Sequence, residues 1–234
     1  MSLLSEYEQR TAWKIQPIKG RFQTHGGLAR KVNSDGSFGP FYGSTVVFLA
    51  DRQCAQAVQK IQWALHESVG NMLASPLPVS SCHMTLHDLV SPEMCVSGSC
   101  DGESYRREVA ESLSEAVHSV NAIRSEYAGK KIVMEADRII NMVSKSLVLL
   151  LRPHSEPDYE LLLELYRRFD GIVNLPYSLT PHITLAYFRP GTIDGDRLGE
   201  AVDRLQIPTD DAPSFVFRTE DLTAQTFRDM QTYI

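Results

Sequence analysis

Long apolar runs are missing from this chain. No stretch reaches the roughly 18 residues that a membrane-spanning helix needs. A basic surplus is missing too: formal net charge is -6 over 234 residues, so the chain lacks the basic face that a long duplex footprint requires. Cysteine is scarce. Cys54, Cys82, Cys95 and Cys100 form no C-x-x-C pair, and they read as reduced thiols rather than as a disulfide framework. The first eight residues have neither a basic n-region nor an apolar h-region, so no signal peptide is expected and the default location is cytoplasmic. Gly26-Gly27 stands in neither G-x-x-x-x-G-K-[ST] nor G-x-G-x-x-G, which sets aside the common phosphate-cradling loops. What is present is 43% hydrophobic and 22% charged, an ordinary composition for a globular domain with a substantial core.

The order of elements repeats. Residues 1–44 form a lead segment, with a short helix over Glu6–Lys14 and then turns punctuated by Gly20, Gly26, Gly27, Gly36, Gly39 and Gly43. The first copy, about residues 45–140, opens with the apolar run Thr45–Ala50, a strand buried on both faces. Asp51 caps a helix whose stripe is Cys54, Val58, Ile61, Leu65 and Val69. A strand at His83–Val90, a helix at about 104–127 and a strand at Lys131–Ile140 follow. The second copy, about residues 146–220, runs Ser146–Leu151 as a strand, a helix opened by Ser155-Glu-Pro157, a strand at His182–Phe188, a helix at Asp194–Leu205 and a strand at Ser214–Thr219. Two copies are too few for a solenoid. They predict an α+β domain over 45–234: two pseudo-symmetric lobes, each a small antiparallel-rich sheet with helices on its outer face, flanking a central cleft.

Each copy carries one His-x-Thr-Leu unit, His83-Met-Thr85-Leu and His182-Ile-Thr184-Leu. Residues two apart on a strand share a face, so each unit presents an imidazole and a hydroxyl side by side. Two imidazoles across a cleft serve as base and acid near neutral pH. Two hydroxyls between them donate hydrogen bonds to the oxygens of a phosphate that gather charge in the transition state. That chemistry fits cleavage of a phosphodiester with a neighbouring oxygen, a strained cyclic phosphate above all, with no cofactor and no metal.

Paired H-x-[ST] motifs in a duplicated α/β chain resemble the 2H phosphoesterase superfamily, which includes the 2′,5′-RNA ligase and cyclic phosphodiesterase proteins. The resemblance covers roughly residues 45–220. It implies that His83 and His182 are the acid/base pair and that Thr85 and Thr184 hold the substrate phosphate. It further implies a 2′,3′-cyclic phosphate or related small nucleotide or RNA-end phosphodiester as substrate. The acidic net charge favours a small ligand over long RNA, and a monomer is expected. Three alternatives stay open: a nucleotide or RNA-end binding module without turnover, a 2′,5′-RNA ligase-type enzyme, and a zinc hydrolase.

Further candidates surround these four. His87 shares sequence parity with His83 and Thr85, which predicts the cleft face. With His83 and a thiolate from Cys82, Cys95 or Cys100 it would make the zinc alternative, although Cys82 has the opposite parity. Phe41, Tyr42, Tyr177 and Phe188 are the aromatic candidates for substrate contact. Phe188 has the parity of His182, whereas Tyr187 has the opposite parity and is assigned to the core. Arg30, Lys31, Lys145, Arg152 and Arg189 are the basic candidates.

Overall fold

The computed structural model describes residues 3–94, 102–205 and 214–234. Ten strands and five helices alternate along the described chain. The lead segment supplies helix α1 (Leu3–Ala12), strand β1 (Ile15–Gln16) and strand β2 (Arg21–Gln23). The first copy contains β3 (Gly43–Leu49), α2 (Arg52–Val69), β4 (His83–Asp88), α3 (Glu103–Glu126) and β5 (Lys131–Met142). The second contains β6 (Ser146–Pro153), α4 (Glu156–Asp170), β7 (His182–Tyr187), β8 (Thr192–Asp194), α5 (Gly195–Arg204) and β9 (Ser214–Arg218), after which β10 (Leu222–Phe227) closes the chain.

Local chemistry sets these boundaries. The Asp51 carboxylate accepts from the Cys54 N–H at the start of α2, and Ser155 and Asp194 cap α4 and α5 in the same way. Each satisfies a donor that the first helical turn leaves open. Strand β3 is buried at six of its seven positions, as an unbroken apolar run requires. At its start the backbone passes so close to Val90 and Phe227 that a Cβ on Gly43 would lie 2.4 Å from the Val90 carbonyl oxygen; only glycine fits there.

Eight strands form one antiparallel sheet in the order β1-β5-β6-β7-β4-β3-β10, with β9 also paired to β5. It divides into two three-stranded lobes, β10-β3-β4 and β7-β6-β5. They meet at a single registered pair, Met84 opposite Ile183. The lobes are not the sequential copies. The third strand of the first copy, β5, pairs with β6 of the second, while β10 returns to pair with β3. Helices bridge the lobes as well: α2 packs on β7, and α4 spans β5, β6 and β4. Exchanged strands and bridging helices bind the lobes into one core, which contains the fully buried Phe48, Phe169, Phe188, Phe215 and Phe217. Burying a phenylalanine side chain contributes about 1.5–3 kcal/mol.

The lead segment belongs to this body. Strand β1 extends the sheet at β5, and β2 pairs with β8. The β5–β6 turn carries Val143 and Ser144 at φ 47° and 54°, a conformation that a β-branched residue rarely adopts. It is held from outside: Val143 N–H donates to the Lys14 carbonyl, and His25 N–H to the Ser144 carbonyl. No helix among the described residues is long and apolar enough to cross a membrane.

Candidate functional site

Strands β4 and β7 lie side by side at the centre of the sheet, and their side chains repeat one pattern. In both, the first and third residues are half-buried, the second, fourth and fifth are buried, and the sixth is half-buried. The cause is a pair of matched β-bulges. On β4, Thr85 and His87 face Val47 and Val46, so Leu86 is the extra residue. On β7, Thr184 and Ala186 face Val148 and Leu147, so Leu185 is the extra residue. A bulge inserts one residue and reverses the alternation beyond it.

Ahead of the bulges, His83, Thr85, His182 and Thr184 all line one cleft of about 800 Å³. The pairing of Met84 with Ile183 sets His83 opposite Thr184 and His182 opposite Thr85 in the antiparallel register. Both imidazoles are anchored alike. His83 Nδ1 lies 2.7 Å from the Ser81 carbonyl oxygen, and His182 Nδ1 lies 2.6 Å from that of Thr180. A carbonyl only accepts, so each Nδ1 carries the proton. That leaves Nε2, across each ring, as the atom with a lone pair when the ring is neutral. Burial lowers both histidine pKa values. His83 falls to about 4, with the neighbouring His182 adding to the effect and the Ser81 carbonyl and Asp88 opposing it. His182 is lowered by burial and by Lys14 and Lys31, against the Thr180 carbonyl and Asp88.

Beyond the bulges, parity misleads. His87 still borders the cleft, but from a buried position of β4. Its side chain is 0% exposed and lies 3.3 Å from the Asp170 carboxylate, with the Tyr166 and Phe169 rings at 4.7 and 6.0 Å. Phe188 is 0% exposed in the core, edge-on to Phe22. The expectation that Phe188 contacts substrate is therefore corrected, and the His87 ring packs against Tyr166 and Phe169 although the residue borders the cleft; in each strand the extra residue shifts the side chains beyond it to the other face. Tyr42 is corrected separately. It lies on the surface outside the cleft, its carbonyl accepting from the Tyr105 hydroxyl. Tyr177 does line the cleft and donates to Asp88 at 2.8 Å. Phe41 lines it as well.

The same shift brings in residues that parity left out. Asp88 and Tyr187 occupy the equivalent sixth position of β4 and β7 and both line the cleft. The Thr184 hydroxyl is near enough to the Tyr187 phenol to act on it, and burial raises the phenol's pKa. Tyr233, from the chain that returns along β10, sits edge-on to His83 at 4.8 Å. Lys14 enters from the lead segment, 3.1 Å from the Ser178 carbonyl oxygen and over the Tyr177 ring, and burial lowers its pKa to about 8. Lys31 and Lys145 share the Glu93 carboxylate at 3.2 and 3.0 Å. The remaining basic candidates lie elsewhere: Arg30 donates to the Pro92 carbonyl, Arg189 to that of Asp35, and Arg152 lines a separate cavity beneath α1. Three lysines against two carboxylates give the cleft wall a formal charge of +1 with neutral histidines, inside a chain of -6.

A metal would need other ligands than those expected. The bulge separates His87 from His83, and Cys82 packs against the core. Cys95 and Cys100 lie outside the described residues. Among the described residues no three His, Cys, Asp or Glu side chains converge as a metal site. Cys54 and Cys82 are free thiols, both pushed up to about 12 by burial.

No protein-family model matches the chain, and no curated protein does. Solved structures do. The conserved protein of unknown function ATU0111 from Agrobacterium tumefaciens is similar with a TM-score of 0.63 and 17% identity, over 91% of each chain; that likeness shows the fold. TT0787 of Thermus thermophilus reaches a TM-score of 0.43 at 14% identity, over 79% of this chain and 85% of its own. Escherichia coli LigT, solved with NADP+, reaches 0.37 at 14% identity, over 80% and 88%. The last two superpose too loosely to bear on chemistry.

Proposed function

We propose that this chain is a phosphodiesterase of the 2H type. It opens a 2′,3′-cyclic phosphate, or a related small nucleotide or RNA-end phosphodiester, by acid/base catalysis between His83 and His182. One observation carries the reading: both imidazoles are fixed at Nδ1 by the carbonyl two residues earlier, so that both offer Nε2 to one cleft. The positive cleft wall in an acidic chain supports an anionic ligand.

In the proposed reaction a neutral histidine takes a proton from water through Nε2 while the water oxygen bonds to phosphorus. The bond from phosphorus to one ribose oxygen breaks, and the second histidine, protonated, gives that oxygen its Nε2 proton. One ring gains a proton and the other loses one, so solvent restores the pair for the next turnover. Burial favours the neutral form of both rings, which suits the base. The acid acquires its proton alongside the phosphate, whose negative charge favours an imidazolium beside it. Thr85 and Thr184 donate to the non-bridging oxygens as their charge grows. Every step uses groups of this chain and water.

The test is ³¹P NMR of products from a panel of 2′,3′-cyclic nucleotides and a 2′,5′-linked dinucleotide, in EDTA, with wild type, His83→Ala and His182→Ala. Turnover by wild type that collapses in both variants is expected. Binding without products would move the reading to a nucleotide-binding module.

A further inference from the structure

The cleft contains a charge cluster that the acid/base step does not use. Lys31, Lys145 and Glu93 come from three separate segments: the lead segment, the strained β5–β6 turn and the turn after β4. Their side chains are only 15%, 18% and 33% exposed. The two ammonium groups share one carboxylate, so one positive charge is left over. The other carboxylate in the cleft wall, Asp88, accepts from the Tyr177 hydroxyl, and its charge acts on Lys14. Partly desolvated cations without matching anions are costly, and a ligand anion would remove that cost.

The cluster has a defined place. Lys31 Nζ lies 4.7 Å from the Phe41 ring centroid and 5.7 Å from that of Tyr187, and Tyr187 and Thr184 stand on the same strand and line the same cleft. One aromatic ring thus separates the spare charge from the hydroxyl proposed to hold the scissile phosphate. We infer that Lys31 and Lys145 form a second anion subsite, and that the preferred ligand carries a second phosphate group in addition to the one at the histidines. Glu93 tunes this subsite by neutralising one of its two charges. The inference rests on the phosphodiesterase reading for the position of the first phosphate.

Calorimetric titration with adenosine 3′-monophosphate and adenosine 3′,5′-bisphosphate tests it in wild type, Lys31→Ala, Lys145→Ala, Lys31→Arg and Glu93→Gln. The bisphosphate is expected to bind wild type about tenfold more tightly, a difference of about 1.4 kcal/mol. That preference should shrink to near unity in both alanine variants, persist in Lys31→Arg and widen in Glu93→Gln. A structural ion cluster would instead lower the melting temperature of the alanine variants and leave the ratio unchanged. Equal affinity of wild type for the two ligands, or no binding of either at millimolar concentration, overturns the subsite. A preference for the bisphosphate without turnover of any cyclic phosphate would retain the subsite and remove the enzymatic reading.

Discussion

Strands β4 and β7 carry the same burial pattern, the same bulge and the same histidine anchor, yet the sixth position is Asp88 in one and Tyr187 in the other. The surroundings differ too. His83 lies against the Tyr233 ring, whereas Lys14 acts on His182. The geometry that presents two imidazoles and two hydroxyls is therefore duplicated, and the groups that contact the rest of a ligand are not. A symmetric centre with asymmetric walls suits a reaction whose two proton transfers are alike but whose substrate has two different ends.

The strongest way to break this comparison is to remove one histidine at a time. His83→Ala and His182→Ala should each lower kcat/KM by about 10²–10⁴, and the double variant should lose far less than the product of the two, because groups that act together are not additive. Product formation followed by ³¹P NMR decides it; a variant with wild-type turnover would mean that the copies are not catalytic equals. Thr85→Val and Thr184→Val come next, each expected to lower kcat by about 10² through loss of one donor to the developing charge. Stopped assays at saturating substrate measure this, and a loss confined to KM would reassign the hydroxyl to ground-state binding.

The lobes, the element order and the His-x-Thr strands were legible because each rests on a local signal: an apolar run, a capping aspartate or serine, a residue pair two apart. The chain position of β5 assigned it to the first copy, while its hydrogen bonds put it in the second lobe. β5 and β6 form a tight hairpin, Met142 opposite Ser146, which the division into copies cut in two; the non-local return of β10 to β3 left no periodicity to read. The bulges were equally silent. Nothing in Thr85-Leu-His87 or Thr184-Leu-Ala186 marks the middle leucine as an extra residue, so parity placed His87 and Phe188 in the cleft and Tyr187 in the core. The alternation runs on unbroken through His83-Met-Thr-Leu-His87, and only the apolar Ala186 departs from it in the second copy. Lys14 and Tyr233 enter from the two ends of the chain, where only the folded topology relates them to the site.

Substitutions just beyond the bulges separate packing from chemistry. Phe188→Ala should cost about 3–5 kcal/mol of stability as a fully buried aromatic removed from the core. His87→Ala should cost about 1–3 kcal/mol by leaving the Asp88 carbonyl, 2.6 Å from His87 Nδ1, without its partner and a gap beside Tyr166. Urea unfolding measures both. Turnover per folded molecule should stay within a few-fold of wild type for His87→Ala; a collapse of kcat with intact stability would assign that imidazole to the chemistry.

The smallest effect expected is a shared pH dependence of stability. The unfolded value for histidine is near 6.5, and in the folded chain His83 lies at about 4, with His182 lowered in the same direction by the same burial. Between these values the unfolded chain binds protons that the folded chain does not. The stability present above pH 6.5 is therefore lost as pH falls toward 4, and these groups cause no further loss once the folded state is protonated as well. Urea midpoints at pH 7, 5.5 and 4.5 should fall in that order for wild type. His83→Gln and His182→Gln, which cannot titrate, should each flatten the decline. Flattening by one variant alone would show that only one copy keeps its ring desolvated, and a slope identical to wild type in both would place the acid sensitivity outside the cleft.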